Sequence, residues 1–195
     1  IINIPALLIL GLLTLILIKG TKESANVNGA IVVVKVIIVL VFIAVGWHFI
    51  VPENHAVIIP PNTGETGMFG WSGVLRGAGI VFFAYVGFDA VSTAAQEAKN
   101  PQKGMPIGIL GSLAFCTVLY ILFSYVLTGV ANYKDFSVTG PGHEAAVAYA
   151  ISHYMVGYEW FAGLITIAIL AGFSSVILVM LLGQSRVFFS MSKDG

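Results

Sequence analysis

Apolar residues in this chain are gathered into long runs instead of alternating with polar ones. A helix needs about 20 apolar residues to cross a hydrocarbon layer about 30 Å thick. Runs of about that length predict five membrane helices, at residues 1–18, 30–50, 74–95, 107–130 and 160–189. The pattern therefore predicts an all-α integral membrane protein, with residues 1–195 forming a single membrane domain.

The composition agrees with this pattern and excludes several classes of protein. Hydrophobic residues make up 58% of the chain and charged residues 9%, whereas a soluble domain has roughly 25% charged residues. The formal net charge is zero, so no basic face is expected for nucleic acid, and the lipid bilayer is the expected surrounding. Cys116 is the one cysteine, which predicts neither a disulfide nor a metal site.

The two ends of the chain lie next to apolar runs. Ile1 stands at the start of the first run, and Gly195 closely follows the fifth. We therefore expect the sequence to be a segment of a longer membrane protein.

Basic residues are divided unevenly between the loops. Most of them lie near or after the ends of the first, third and fifth runs, at Lys19, Lys22, Lys99, Lys103, Arg186 and Lys193. Because cytoplasmic loops carry an excess of Lys and Arg, the loops near 19–29 and 96–106 and the chain after 186 are predicted to face the cytoplasm. In the outer loop before the fifth run, the Ala-rich stretch 143–155 predicts a short helix.

Lys35 is a charged residue inside the second apolar run. It lies eight residues after Val27, the expected cytoplasmic start of the span, which puts it on the order of 12 Å deep. A charge at that depth costs at least a few kcal/mol, so such residues are functional candidates. Lys35 is either an amine that loads and releases a proton, or a permanently charged lysine held by helix carbonyls or a carboxylate.

Asp89 occupies a similar depth in the third run. It lies eight residues from the boundary that Glu97 and Lys99 mark. Two interpretations remain open. Lys35 and Asp89 form a fixed ion pair that fastens two helices, or both groups line a water-accessible path and change state during a cycle.

The centre of the third run has poor helix-forming chemistry. Gly87 lies among aromatic and β-branched residues. A break near 84–88 would free backbone groups to bind a small zwitterion, which is tolerated at membrane depth only where the break lines a cavity. Alternatively, Gly87 is a packing notch between helices. In the fifth run, Ser174 and Ser175 either bond to the backbone or a neighbouring helix, or contact a ligand or ion.

Several segments of the chain resemble a known family. The central ones are RGAG at 76–79, FFAYVGFDA at 82–90 and EAKNP at 97–101. The flanking ones are KGTKES at 19–24 with Asn28, QSR at 184–186 and MSKDG at 191–195. In these segments the chain resembles the amino acid, polyamine and organocation permeases, and within them the cationic amino acid transporters and their bacterial relatives.

This resemblance implies a fold of two inverted five-helix repeats, of which these helices are the fourth to the eighth. Repeat partners in that fold are five helices apart, which agrees with the absence of an internal repeat. The implied activity is secondary active transport of amino acids across the plasma membrane by alternating access. The implied coupling ion is a proton, with no other cofactor, no enzymatic activity and no identified protein partner.

The resemblance also implies roles for individual residues. The substrate-binding residues would be those of an unwound helix centre, Phe83, Ala84, Tyr85, Val86 and Gly87. Phe83 matches the aromatic residue that covers a bound amino acid, and Asp89 matches an acidic residue at the inward gate. Gln96 stands where many relatives have a glutamate, so a preference for cationic substrates does not follow.

Proton coupling is assigned to Lys35 by the same resemblance. In proton-coupled members, a lysine at this position takes the place of a sodium ion, and Ser174 or Ser175 would be its neighbour. The alternative function is a transport-inactive receptor or scaffold that keeps the same fold. A channel would need rings of charges or carbonyls, and an intramembrane enzyme would need a nucleophile and base pair that the sequence does not show.

Overall fold

The computed structural model describes residues 4–19, 21–62, 64, 66–85, 87, 100–137 and 140–193. Its α-helices are α1 (Ile4–Lys19), α2 (Thr21–Gly46), α3 (Gly70–Phe82), α4 (Pro101–Val130), α5 (Ala146–Tyr154) and α6 (Glu159–Lys193). Short 3-10 turns occupy Trp47–Phe49, Pro52–His55, Phe83–Tyr85 and Tyr133–Phe136. These described segments contain no β-strand, so for them the expectation of an all-α fold is confirmed.

Three helical stretches in the described residues are long and apolar enough to cross a membrane. They are Asn26–Phe49, which includes the 3-10 turn after α2, Gln102–Val130 and Glu159–Phe189, while the apolar stretch of α1, Ala6–Ile18, is shorter. Much of the third predicted run, residues 86 and 88–95, lies outside the described residues. The number of five spans therefore stays a prediction.

The helices α2 and α4 begin before their apolar runs. α2 starts at Thr21, nine residues ahead of the run at 30–50, and α4 starts at Pro101, six residues ahead of 107–130. Proline is favoured at the first helical position because its missing N–H would have no intrahelical partner there. The apolar pattern thus marks the part of a helix suited to lipid, and the helix itself extends into the polar segment before it.

A core of apolar side chains joins α2, α4, α5 and α6. Phe42 of α2 is completely buried, and its ring centroid lies 4.7 Å from that of Phe123 in α4. Gly46 allows α2 and α4 to approach closely, since a Cβ atom there would lie 2.6 Å from Cγ1 of Val126. Ile151 of α5 is buried in the same cluster, so the short helix is fastened to the longer ones.

The loop after α2 covers the C-terminal end of α4. The Asn54 side chain and the Val51 backbone both donate hydrogen bonds to the Gly129 carbonyl, at 2.9 and 3.0 Å. The His55 ring stacks on Tyr125 with centroids 4.3 Å apart. The last carbonyls of a helix lack intrahelical partners, and this loop supplies one for Gly129.

A second contact at this end of the bundle joins α5 to the turn Tyr133–Phe136. The Tyr154 hydroxyl donates a 2.7 Å hydrogen bond to the Asp135 carboxylate. This hydrogen bond, with smaller contributions from burial and from the negative charge, raises the pKa of Tyr154 to about 12. The hydroxyl is therefore a donor throughout the neutral range.

We predict that the difference in tyrosinate absorbance between the wild type and Tyr154→Phe titrates with a midpoint of about 12. A folded-state pKa above the ordinary 10.0 means that the contact stabilises fully below pH 10.0 and is lost as the pH rises through about 12. Asp135→Asn removes the charged acceptor and should lower this midpoint towards 10.0. A midpoint near 10.0 in the wild type would contradict the contact.

Candidate functional site

Lys35 lies where α2 and α6 come together. Its side chain is half-buried and runs across Gly172 of α6. A Cβ atom on Gly172 would lie 3.1 Å from Cε of Lys35 and 3.3 Å from Nζ. A glycine at this position therefore leaves room for the end of the lysine chain against the backbone of α6.

The same lysine lines a cavity of about 280 Å³. The other described residues that line it are Ile38, Val39, Phe123, Val147, Ile165, Ala168 and Ile169. All seven are apolar and come from four helices, α2, α4, α5 and α6. A charged group in such surroundings is costly unless water or a polar partner reaches it, so the polarity of this cavity decides how stable the charged amine is.

The two candidate serines of α6 have different partners. The Ser174 hydroxyl donates to the Leu170 carbonyl of its own helix at 3.1 Å. The Ser175 hydroxyl donates to the side-chain oxygen of Asn28 in α2 at 2.5 Å, and Ser175 is only 5% exposed. Ser175 is thus the serine that faces α2, and Gly172 of the same helix lies against the Lys35 side chain.

Asn28 had no assigned role in the sequence analysis, although a signal for it was present. It precedes Lys35 by seven residues, which is about two helical turns and places both on one face of α2. A polar residue on the same helix face as a half-buried lysine is a candidate partner in the same site.

The chain leaves regular α-helix geometry at the end of α3. The α-helix ends at Phe82, a 3-10 turn follows at Phe83–Tyr85, and Gly87 has φ of +129°. Side chains rarely tolerate that backbone conformation, whereas glycine adopts it readily. Val86 and Asp89 lie outside the described residues, and so does the suggested pair of Asp89 with Lys35.

The segment after Phe82 lies close to both α4 and α6. The Tyr85 hydroxyl is 3.1 Å from the Thr117 hydroxyl of α4, and a Cβ atom on Gly87 would lie 3.8 Å from Met180 of α6. Ala84 is exposed, and Phe83 is 73% exposed, so its ring is accessible. Residues 172 and 180 of α6 contact the two parts of the site, about 12 Å apart along the helix.

The apolar helices and the half-buried lysine within one of them define a polytopic α-helical membrane protein with a polar group inside a span. The profile of the amino acid permease family matches residues 3–195. The chain therefore belongs to the amino acid permease family, and the resemblance found in its motifs is confirmed.

Characterised relatives match the chain over nearly its whole length. It is 44% identical to the methylthioribose transporter of Bacillus subtilis (strain 168), covering 99% of this chain and 39% of that protein. It is 42% identical to the branched-chain amino acid permease BcaP of the same organism, covering 99% and 38%. It is 42% identical to cationic amino acid transporter 9, chloroplastic, of Arabidopsis thaliana, covering 99% and 31%.

Two conclusions follow from these relatives. Their names describe permeases and transporters and no enzyme, in agreement with the expected absence of enzymatic activity. The chain spans about two fifths of the length of the bacterial relatives and less of the plant protein.

The contact of Lys35 with Gly172 gives a test of the site geometry. Alanine in place of glycine stabilises a helix interior by roughly 0.5–1 kcal/mol. Gly163 of α6 has open space around it, so we expect Gly163→Ala to show this gain in stability. Gly172→Ala should not show the gain, because the Lys35 side chain would have to move. In the full-length protein, thermal unfolding in detergent measures both changes.

Lys35→Ala provides the control for this comparison. With the lysine chain removed, Gly172→Ala should stabilise as much as Gly163→Ala does, because the obstacle is gone. Equal effects of the two glycine substitutions in the wild-type background would show that Lys35 does not lie against Gly172.

Proposed function

We propose that the protein is a secondary active transporter that carries an amino acid across the plasma membrane by alternating access. The chain would supply the fourth to eighth helices of a fold with two inverted five-helix repeats. Its family supports this proposal, as do relatives named as a branched-chain amino acid permease and a cationic amino acid transporter. The observation that carries it is the end of the α-helix at Phe82, followed by a 3-10 turn and by the positive φ of Gly87.

The interrupted segment is the proposed substrate site. Where a helix is unwound, its N–H and C=O groups are free to bind the carboxylate and ammonium groups of an amino acid. The binding residues would be Phe83, Ala84, Tyr85, Val86 and Gly87. Phe83, which begins the 3-10 turn after α3, would be the aromatic cover over the substrate. Asp89 is proposed as the inward gate below this site.

Lys35 is the proposed proton-coupling residue. A proton drives transport only if the outward-open and inward-open states bind it with different affinity. The amine of Lys35 lines an apolar cavity and touches Gly172. Movement of α6 against α2 would change what surrounds the amine, and therefore the free energy of its charged form. Ser175, three residues after Gly172, is its proposed neighbour on α6.

The orientation in the membrane is part of the proposal. The loops near 19–29 and 96–106 and the chain after 186 would face the cytoplasm, as the excess of basic residues favours. The contacts of His55 with Tyr125 and of Tyr154 with Asp135 would then lie at the outer end of the bundle. Lys134 belongs to that outer group.

Uptake into proteoliposomes tests transport and coupling together. The full-length protein would be supplied with a panel of branched-chain and cationic amino acids and methylthioribose, with and without an inward proton gradient. We expect wild-type uptake of an amino acid to be accelerated by the gradient. Lys35→Ala should bind the same substrate but lose the acceleration, and Lys134→Ala, which removes an exposed lysine of the outer turn, should keep it.

The outcomes separate the parts of the proposal. Absence of amino-acid uptake by the wild type would contradict the transport function, and uptake of methylthioribose alone would contradict the substrate class. A Lys35→Ala variant that responds to the gradient as the wild type does would contradict the role of the lysine while leaving transport intact.

A further inference from the structure

A hydrogen bond joins α2 to α6 beside the proposed proton site. The Ser175 hydroxyl donates to the side-chain oxygen of Asn28, and both side chains are at least partly buried. Asn28 makes this contact from the same face of α2 that carries Lys35. On α6, Ser175 and Gly172 are three residues apart and also share a face. The two helices are therefore in contact at two neighbouring points, one polar and one steric.

Ser175 differs from the other described hydroxyl residues of α6. Thr166, Ser174, Ser185 and Ser192 each donate to a carbonyl three or four residues earlier in their own helix. That local bond satisfies a hydroxyl in an apolar helix without any neighbour. Ser175 instead reaches across to α2, so its hydrogen bond depends on the distance and rotation of the two helices.

Interhelical hydrogen bonds are one of the interactions that hold helices together in lipid. Lipid tails are as apolar as the side chains, so helices are held by close packing and by hydrogen bonds between them. At the contact of Lys35 with Gly172, a shift of a few tenths of an ångström changes how closely the amine approaches the backbone of α6. The Asn28–Ser175 hydrogen bond joins the same two helices.

We propose that Asn28 is a positioning residue for Lys35. Through Ser175 it holds α2 against α6, and this keeps the Lys35 amine against Gly172 in one state of the transport cycle. Breaking the bond would free α6 to move and change the surroundings of the amine. The inference rests on the proposed function, because it assigns Asn28 to the proton-coupling step of that transporter.

A double-mutant cycle in the full-length protein tests this role. The variants are Asn28→Ala, Ser175→Ala, both together, and the control Thr166→Ala, which removes a hydroxyl bonded only within α6. The readout is the ratio of amino-acid uptake with and without an inward proton gradient, per amount of folded protein. An average interhelical hydrogen bond corresponds to about a threefold change in an equilibrium. Each single variant should lower the ratio by about that factor.

The double variant identifies the shared contact. If both side chains act through one bond, the double variant should be no worse than either single variant. Thr166→Ala should keep the wild-type ratio, and the substrate dissociation constant should stay unchanged in all variants. Ser175→Cys keeps the volume but has only a weak donor, so it should also lower the ratio, and it serves if the alanine variants do not fold.

Failure of the positioning role and failure of the proposed proton coupling give different results. A wild-type ratio in Asn28→Ala and Ser175→Cys, or losses that multiply in the double variant, would overturn the positioning role while leaving the proposed function intact. If the wild type itself ignores the gradient, the proposed proton coupling fails. Paired spin labels on α2 and α6 then decide whether Asn28 positions the helices: a wider separation in Asn28→Ala than in Thr166→Ala supports it, and an unchanged separation overturns it.

Discussion

The cost of placing an amine among apolar side chains is the constraint on which the site depends. Lys35 lines a cavity whose other described residues are hydrocarbon or aromatic, and lipid offers no water to compensate. The amine can remain there only if the helices around it control its access to water or polar groups. Because its chain lies against Gly172, the proposed function assigns that control to the position of α6 relative to α2.

The helix α6 connects the two parts of the site. Gly172 and Ser175 meet α2 at Lys35 and Asn28, and Met180 lies next to Gly87, beyond the end of α3. In the proposed transporter, movement of this helix would be the route by which binding at one place changes the other. This geometry supports coupled transport more directly than either part would alone.

The sequence can point to a candidate site residue when one residue departs from the pattern around it. Lys35 stands out because a charge interrupts an apolar run, and Gly87 because its neighbours form helices poorly. The choice between Ser174 and Ser175 was beyond the sequence, since apolar residues surround both and only helix packing shows which one faces α2. The contact of Lys35 with Gly172 could not be predicted either. The chain has 22 glycines, and which of them lies against Lys35 depends on how the helices pack. The starts of α2 and α4 were not predicted, because hydrophobicity marks only the part of a helix that is suited to lipid.

The central claim is that the surroundings of the Lys35 amine change as α6 moves against α2. The most direct measurement is the protonated fraction of that amine, observed by nitrogen NMR over a series of pH values in the full-length protein locked by cross-links in its outward-open and inward-open states. The account predicts different protonated fractions in the two states, because a coupling group must bind its proton with different affinity in each. Equal fractions across the titration range would contradict it.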